Sequence, residues 1–339
     1  MLKLIICGNG FDLHHGFKTK YIDYKNFLLN KEPRLFKEFE DFFYFKILET
    51  DRWTDIEKSL TMDIKRFVHI INKEYYPSSG SKRGLNWYDL DIEIEQQTKF
   101  IYDFTGKYFL EWLIENDYSI SENKINNIDS EDLFITFNYT DTLREVYKVA
   151  SENIYHIHGS INSVKQEHIQ DWFIPSFKTI EEAEITERFE ADEFNNGIIR
   201  EEIQFGSIYN KPENIKKELN NSFRHDDYYF DTIEPAINRM VDFCEAGTKN
   251  IEKNYYSLEK FIRKKQIKQV SIMGHSILGV DKSYYSDVLV PILKNCLWSF
   301  YCHNCDSYSE AEEFIREFNI NSFEFISWDG KKLSQGCAT

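Results

Sequence analysis

Basic residues are scarce relative to acidic residues in this chain. Lysine and arginine number 41 against 57 aspartates and glutamates, and the formal net charge at pH 7 is −16. Non-specific binding to nucleic acid or to an anionic membrane surface depends on positive charge. The composition therefore argues against nucleic acid or a membrane as a partner for the molecule as a whole, although it leaves a local basic patch open.

Long apolar runs are also missing. No stretch approaches the roughly 18 consecutive apolar residues of a transmembrane helix. The apolar run at the N-terminus, Leu2–Cys7, is shorter than the apolar core of a secretory signal. We therefore expect a cytoplasmic protein.

Cysteines are few and irregularly spaced. The six cysteines include one close pair, Cys302 and Cys305, and a single C-x-x-C without a second pair of ligands is weak evidence for zinc. Irregular cysteines in apolar surroundings are typical of free thiols in a reducing compartment. We expect no metal site.

Aromatic and aliphatic residues are abundant, and they fall into short runs. The chain contains 28 Phe and 21 Tyr and is 42% hydrophobic, which allows a sizeable core, and we interpret residues 1–339 as a single α/β domain. Near-continuous apolar runs interspersed with helical patterns predict a parallel sheet covered on both faces. The runs are Leu2–Cys7, Leu133–Phe137, Gln269–Met273 and Leu297–Cys302. A fifth run, Ile154–His158, is shorter and alternates, and Phe323–Ile326 is predicted as a last strand.

Two segments interrupt this strand pattern. Residues 31–130 contain three stretches with apolar residues at spacings of three and four, which predict a helical insertion. Those stretches are Arg34–Leu48, Asp55–Asn72 and Ile92–Ile114. Residues 161–235 are acidic and weakly periodic, and we interpret them as an irregular acidic insertion or lid.

Polar residues follow the first two strand-like runs, and ligands of parallel sheets bind beyond the carboxyl ends of the strands. Gly8-Asn9-Gly10 is compatible with a tight turn into a helix or with a ligand loop whose amides face phosphate oxygens. Asn138 is either a local partner of the backbone or a site residue. Thr140 or Thr142 can cap the helix that follows.

The run Ile154–His158 carries two histidines. In a strand His156 and His158 would face the same side, and Gly159 would let a bulky group approach His158. A histidine is a natural general base at neutral pH, and the alternative is a core histidine with satisfied hydrogen bonds.

Gly274-His275-Ser276 follows a later strand-like run in a setting similar to that of a hydrolase nucleophile. The G-x-S-x-G motif of those enzymes requires a glycine where Leu278 stands, and a metallophosphoesterase would need a second histidine after His275. We therefore interpret Gly274, Ser276 and Asp281 as polar contributions to a crevice shared with the other loops.

Four loop motifs stand out in order along the chain. They are Cys7-Gly8-Asn9-Gly10-Phe11-Asp12-Leu13 with His15-Gly16, Phe137-Asn138-Tyr139-Thr140-Asp141-Thr142-Leu143, His156-Ile157-His158-Gly159-Ser160, and Met273-Gly274-His275-Ser276 with Asp281. Taken together, these loops resemble the AbiH family, which comprises bacterial proteins associated with abortive infection against phage. The same order of loops is similar, more loosely, to that of sirtuin-like defence domains that consume NAD.

This resemblance implies a Rossmann-like, sirtuin-like parallel sheet that binds NAD as a substrate and hydrolyses the nicotinamide–ribose bond, as an NAD⁺ glycohydrolase does. Asn138 would hold the ribose or a water, and His158 would act as the base or hydrogen-bond a ribose hydroxyl. The residues that would line the nucleotide are Gly8, Asn9, Gly10, Phe11, Asp12, Thr140, Asp141, Gly159, Gly274, His275, Ser276 and Asp281. The implied partners are a nucleotide, a phage-derived trigger or defence protein, and a second copy of the chain in a homo-oligomer.

The first loop departs from the sirtuin-like pattern. Phe11 and Asp12 stand where many of those domains have small residues, and Asp12 would repel a pyrophosphate unless it binds ribose hydroxyls or faces away. Two alternative functions therefore stay open. One is a non-catalytic nucleotide-binding sensor that acts through a partner, and the other is a metal-dependent nuclease or phosphodiesterase.

Overall fold

A computed structural model gives the fold of the chain. It describes residues 2–40, 56–61, 63–70, 94, 103–116, 118, 121, 123–164, 212–223, 234–235, 237–242, 244, 251–263 and 265–333. Among these residues, no helix is long and apolar enough to cross a lipid bilayer.

Six parallel strands form one open sheet in the order β3-β2-β1-β4-β5-β6. The strands are β1 (Lys3–Cys7), β2 (Leu133–Thr136), β3 (Ile154–His156), β4 (Gln269–Met273), β5 (Leu297–Cys302) and β6 (Phe323–Ser327). This order is that of a Rossmann-like sheet, and the direction of winding reverses between β1 and β4. The predicted parallel α/β fold is confirmed.

The described helices are α1 (Asn9–His14), α2 (Tyr21–Lys31), α3 (Pro33–Glu40), α4 (Ile56–Ser59), α5 (Ile64–Ile70), α6 (Tyr108–Ile114), α7 (Thr142–Tyr147), α8 (Pro212–Phe223), α9 (Ile251–Arg263), α10 (Lys282–Tyr284), α11 (Val290–Leu293) and α12 (Cys305–Phe318). Two π-helical turns lie at Asp103–Lys107 and Tyr285–Leu289, and a 3₁₀ turn lies at Ser151–Asn153. α12 begins directly after Asn304, which forms a capping box with Ser307.

The chain divides into two compact units. The first comprises Met1–Lys20, Leu113–Ser163 and Asn250–Thr339 and contains the sheet, and the second comprises Tyr21–Trp112 and Val164–Lys249. In the second unit Tyr24 is fully buried, its ring packs against Phe104, Phe109 and Trp112, and its hydroxyl donates to the Phe104 carbonyl. Much of the predicted insertions at 31–130 and 161–235 lies outside the described residues, so their boundaries stay predictions.

Both faces of the sheet are buried, which explains why the strands read as continuous apolar runs rather than as alternating patterns. Leu4 and Ile6 of β1 belong to one core cluster, and Ile5 and Cys7 belong to the cluster on the opposite face. All four side chains are fully buried, as the alternation of side chains along a strand requires.

Candidate functional site

The loops that follow β1, β2, β3 and β4 are joined by backbone hydrogen bonds at the carboxyl edge of the sheet. The Gly8 amide donates to the Met273 carbonyl at 3.2 Å, and the Phe137 amide donates to Cys7 at 3.0 Å. The Ile157 amide donates to Thr136 at 2.9 Å. These bonds continue the strand ladder into the loops, so the four loops of the sequence motifs do meet at one edge.

Three glycines let the loops after β1 and β4 pass each other closely. A Cβ atom on Gly8 would lie 2.5 Å from Cα of His275, and one on Gly10 would lie 2.8 Å from Cα of Gly274. Gly274 has a φ of +64°, and a Cβ there would lie 2.3 Å from the Phe11 nitrogen. Glycine is therefore required at these positions because a side chain would overlap the backbone of the facing loop.

The amides of the first loop are bonded within the protein. Gly8 donates to Met273, Gly10 donates to the Gly274 carbonyl at 2.8 Å, and Phe11 donates to the Gly8 carbonyl at 2.8 Å. In Rossmann-like sheets a ligand usually occupies the crevice where the winding reverses. Here the loop after β4 itself occupies the space next to the first loop, so these amides are not available to a phosphate in this conformation.

Asp12 joins the first loop to the second. Its Oδ2 accepts from the Thr140 hydroxyl at 2.6 Å, its Oδ1 accepts from the Thr142 hydroxyl at 2.7 Å, and the Asn138 side chain also bonds to it. The residue is 1% exposed. Burial raises the pKa of Asp12 to about 6, and the three hydrogen bonds limit the rise. The carboxylate thus faces the protein interior, which resolves its conflict with an anionic ligand.

The same contact changes how α7 begins. The sequence predicted Thr140 or Thr142 as the cap, but Asp141 holds the N-cap position without a side-chain capping bond. Thr140 and Thr142 instead donate their hydroxyls to Asp12. The Asp141 side chain is buried, which raises the pKa of its carboxyl, and Arg144 lies 3.6 Å from it.

Replacing Asp12 with asparagine is expected to change how stability depends on pH. The pKa of Asp12 lies above its ordinary value of 3.8, so ionisation of its carboxyl destabilises the native state as pH rises from about 4 to about 6. At about 1.4 kcal/mol per pH unit, the free energy of unfolding of Asp12→Asn relative to wild type should rise by about 3 kcal/mol across this window. Urea unfolding of both proteins at pH 4 and pH 7 measures this change.

The difference between the two proteins is the informative quantity in that experiment. Burial lowers the pKa of both His15 and His156 to about 4, so these residues make the native state less stable as pH falls from 6.5 towards 4. The contribution of these histidines is opposite in sign to that of Asp12. It is the same in both proteins, so it cancels in the difference between their free energies of unfolding. A difference that stays constant with pH would contradict the assigned role of Asp12.

Asn138 and Asn9 have different partners. Asn138 is buried, and its Nδ2 donates to the Gly8 carbonyl at 2.9 Å while its backbone amide donates to the Thr136 hydroxyl at 3.1 Å. Asn138 therefore connects the ends of β1 and β2 at the centre of the site. The Asn9 side chain donates to the Thr19 carbonyl at 2.9 Å, which ties the start of α1 to the chain that follows it.

His158 pairs with Asp281 across the sheet edge. His158 Nε2 lies 3.0 Å from Asp281 Oδ1, and His158 is 2% exposed. Its Nδ1 is buried and has no hydrogen-bond partner among the described residues. A neutral imidazole that donates from Nε2 to a carboxylate keeps a lone pair on Nδ1, so this nitrogen is able to accept a proton.

The two histidines of the predicted run do not lie on one strand face. β3 ends at His156, whose Nδ1 lies 3.3 Å from the Asn138 carbonyl. His158 lies beyond the strand end, and Gly159 next to it has a φ of +85°, a backbone conformation that favours glycine. The chain turns there, and the turn separates the partners of the two histidines.

The loop after β4 is packed and anchored. The His275 ring stacks on Phe137 with centroids 3.9 Å apart. The Ser276 hydroxyl and the Leu278 amide both bond to one carboxylate oxygen of Glu310, at 2.7 and 3.0 Å. Ser276 is therefore bound to an acid from α12, and no described histidine pairs with it as one would with a serine nucleophile.

Two other predicted features have structural roles. Phe11 is a core residue whose ring packs against His15 and Tyr147. His15 Nδ1 lies 2.6 Å from the Phe11 carbonyl, and its Nε2 lies 2.7 Å from the Tyr147 hydroxyl, which accepts from the Ile125 amide. This network fixes a neutral His15 and attaches α1 to α7.

Sequence reasoning missed three polar partners of the site. Thr142 and Glu310 bond to predicted site residues, and Asn254 of α9 bonds to the loop that carries His158. Glu310 and Asn254 lie on helices with ordinary amphipathic patterns, so no local signal distinguished them. The Thr142 hydroxyl was interpreted as a helix cap.

The close cysteine pair, Cys302 and Cys305, does not form a metal site with other residues that the structure describes. No group of three or more His, Cys, Asp or Glu side chains there is arranged to hold a metal ion. Cys302 is a free, buried thiol, and burial raises its pKa to about 11. Cys305 is disulfide-bonded, so the expectation of free thiols fails at that residue.

The strand order and the polar loops at the carboxyl edge define the chain as a Rossmann-like α/β protein. A model of the family described as bacteriophage abortive infection AbiH matches residues 4–302. The chain belongs to this family, as its sequence motifs predicted, and the family assigns it to abortive infection. No curated protein and no solved structure matches it, and the likeness to sirtuin-like domains stays a prediction.

Proposed function

We propose that this abortive-infection protein is an effector that binds NAD and hydrolyses its nicotinamide–ribose bond. The observation that carries the proposal is the His158–Asp281 pair, in which Nε2 is 3.0 Å from a carboxylate oxygen and the buried Nδ1 has no partner among the described residues. A base held by a carboxylate at the carboxyl edge of a Rossmann-ordered sheet is suited to deprotonating a water next to a bound nucleotide.

The proposed reaction needs no reactant besides water and NAD⁺, and the chain supplies the base. Water and NAD⁺ give ADP-ribose, nicotinamide and one proton. The bond between the ribose and the nicotinamide nitrogen breaks with its electron pair going to nicotinamide, which leaves as a neutral molecule and needs no acid. The water oxygen forms the new bond to the ribose carbon through an oxocarbenium-like transition state. His158 Nδ1 takes the proton of the water, and Asp281 stabilises the imidazolium that forms.

Asn138 is the second catalytic residue of the proposal. Its side chain is held between the Gly8 carbonyl and Asp12, so little rotamer freedom is left to lose when a ligand binds. An amide fixed in this way would orient the ribose or the attacking water relative to His158.

The closed arrangement of the loops sets a requirement on this activity. His158 and Asn138 are buried, and the amides of Gly8, Gly10 and Phe11 are bonded within the protein. Nucleotide binding therefore has to be accompanied by movement of the loop after β4. In our proposal a phage-derived trigger, a defence partner or assembly into a homo-oligomer supplies the free energy for that movement.

A time course of NAD consumption tests the proposal. Purified protein is incubated with NAD alone and with lysate of phage-infected cells, and nicotinamide and ADP-ribose are quantified by chromatography. We expect equal amounts of the two products, with more formed in the presence of the trigger. No nicotinamide release under either condition would overturn NAD hydrolysis.

The burial of His158 and Asn138 favours one alternative, a nucleotide-binding sensor that acts through a partner without turnover. Titration calorimetry with NAD distinguishes this function from catalysis, because a sensor would bind the nucleotide and leave it intact. A metal-dependent nuclease or phosphodiesterase would require metal, so an assay with added EDTA separates it from both.

A further inference from the structure

A side chain on α9 joins the two loops that carry His158 and Asp281. Asn254 Nδ2 donates to the Ile157 carbonyl at 2.9 Å and lies 3.2 Å from the Tyr284 hydroxyl. Ile157 immediately precedes His158, and Tyr284 belongs to α10, whose N-cap position Asp281 occupies. Because an amide nitrogen carries two N–H donors, this single group bridges the backbone next to the base and the helix next to its carboxylate.

The helix that carries Asn254 is itself fixed against the sheet. Leu258 and Ile262 of α9 are buried in the core. The Tyr155 hydroxyl of β3 lies 3.4 Å from the Asn254 carbonyl and 2.6 Å from the Ser257 hydroxyl. The Asn254 amide therefore projects from a backbone that hydrogen bonds and packing hold in place.

The opposite end of the β4 loop has a separate support. Glu310 of α12 accepts hydrogen bonds from Ser276 and Leu278, near the start of the loop. Asn254 contacts the chain after Asp281, at the end of the loop. The His158–Asp281 pair joins residues that are 123 positions apart in sequence, so its geometry depends on how these two loops are held relative to each other.

The geometry points to Asn254 as a positioning residue that keeps His158 and Asp281 within hydrogen-bonding distance of each other. The inference rests on the proposed function, in which His158 is the base. Asn254 does not touch the reacting atoms, and it acts through the Ile157 carbonyl and the Tyr284 hydroxyl. A displacement of about 1 Å between reacting groups is enough to cost one to two orders of magnitude in rate.

Asn254→Asp is the sharpest test of this role. The two side chains have nearly the same shape, but a carboxylate has no N–H to donate to the Ile157 carbonyl. We expect kcat for NAD hydrolysis to fall by about 10-fold or more, with a change in KM of less than about 3-fold, because substrate contacts stay intact. Tyr284→Phe removes the other contact and should lower kcat in the same direction, and it also serves if Asn254→Asp does not fold.

Ser257→Ala is the matched control. Ser257 lies on the same helix as Asn254, and both residues contact Tyr155 of β3. Among the described residues, Ser257 bonds neither to the loop that carries His158 nor to the loop that carries Asp281. Its variant should keep kcat within about 2-fold of wild type. A fall in kcat equal to that of Asn254→Asp would show that any weakening of α9 has the same effect, and this result would overturn the specific role of Asn254.

A second measurement separates this inference from the proposed activity. The ¹⁵N chemical shifts of labelled histidine report the tautomer of each ring, and His158→Gln assigns the signal of His158 among the nine histidines. We expect a single tautomer with Nε2 protonated in wild type and a mixture in Asn254→Asp. An unchanged single tautomer in the variant would overturn the inference. If wild type hydrolyses no NAD, the proposed function fails, and this measurement alone decides the role of Asn254.

Discussion

Replacing His158 with alanine is expected to lower the rate of NAD hydrolysis by about 10²-fold or more, the usual cost of losing a general base. The variant loses an imidazole whose Nε2 lies 3.0 Å from Asp281 and whose buried Nδ1 has no hydrogen-bond partner among the described residues. Because the variant loses the group that accepts the proton in the transition state, most of the decrease in rate should appear in kcat rather than in KM. Initial rates of nicotinamide release from His158→Ala and wild type, compared at saturating NAD, measure the effect.

Two further variants make this result specific. Asp281→Asn keeps the size of the side chain but turns a carboxylate into an amide that no longer stabilises an imidazolium, so its kcat should fall by at least about 10-fold. His303→Ala removes an exposed histidine from the loop after β5 and should leave the rate unchanged. Full activity in His158→Ala, with hydrolysis confirmed in wild type, would show that a different residue acts as the base.

Replacing Gly274 with alanine is expected to cost about 3–5 kcal/mol of folding stability or to prevent folding. The added Cβ would lie 2.3 Å from the Phe11 nitrogen and 2.4 Å from the Gly10 carbonyl carbon, and both are backbone atoms. Relief of this overlap requires the two loops to separate, which breaks the 2.8 Å hydrogen bond from the Gly10 amide to the Gly274 carbonyl. Urea unfolding of variant and wild type measures the loss.

Two other glycines separate the causes of that loss. Gly330 also has a positive φ, of +85°, but a Cβ there would meet the flexible Asn127 side chain, so Gly330→Ala should cost only about 1–2 kcal/mol. Gly279 has a Cβ position 3.3 Å from the Ser276 hydroxyl oxygen and no positive φ, and its variant should lose less than about 1 kcal/mol. Equal losses at all three positions would contradict the close approach of the two loops.

The parallel sheet was predictable because its signal is local. Leu2–Cys7 and Leu133–Phe137 are apolar at nearly every position, a pattern typical of a strand buried on both faces. The strand ends were less accurate, since β3 stops at His156 while the predicted run extends to His158. The order of the six strands was beyond sequence reasoning, because it depends on the pairing of β1 with β2 and with β4, which joins residues more than a hundred positions apart.

The site was predictable in its residue types and not in its contacts. The motifs identified Asp12, Asn138 and His158 as candidates, and the structure brings their loops to one edge of the sheet. It also shows that Asp12 faces Thr140 and Thr142 and that Asn138 bonds to the Gly8 carbonyl. A hydrogen-bond partner is set by the position of two loops in space, and spacing along one loop carries no information about it.

The sequence by itself determined the class of fold, the family and the four loops that carry polar residues. Apolar runs separated by helical patterns predict a parallel sheet covered on both faces, and polar residues at the carboxyl ends of its strands then fall at one edge. Only the tertiary structure decided that Gly8, Gly10 and Gly274 allow the loops after β1 and β4 to approach closely, and that His158 is paired with Asp281. Both outcomes depend on packing between distant segments, and the free energy of that packing is a property of the folded chain.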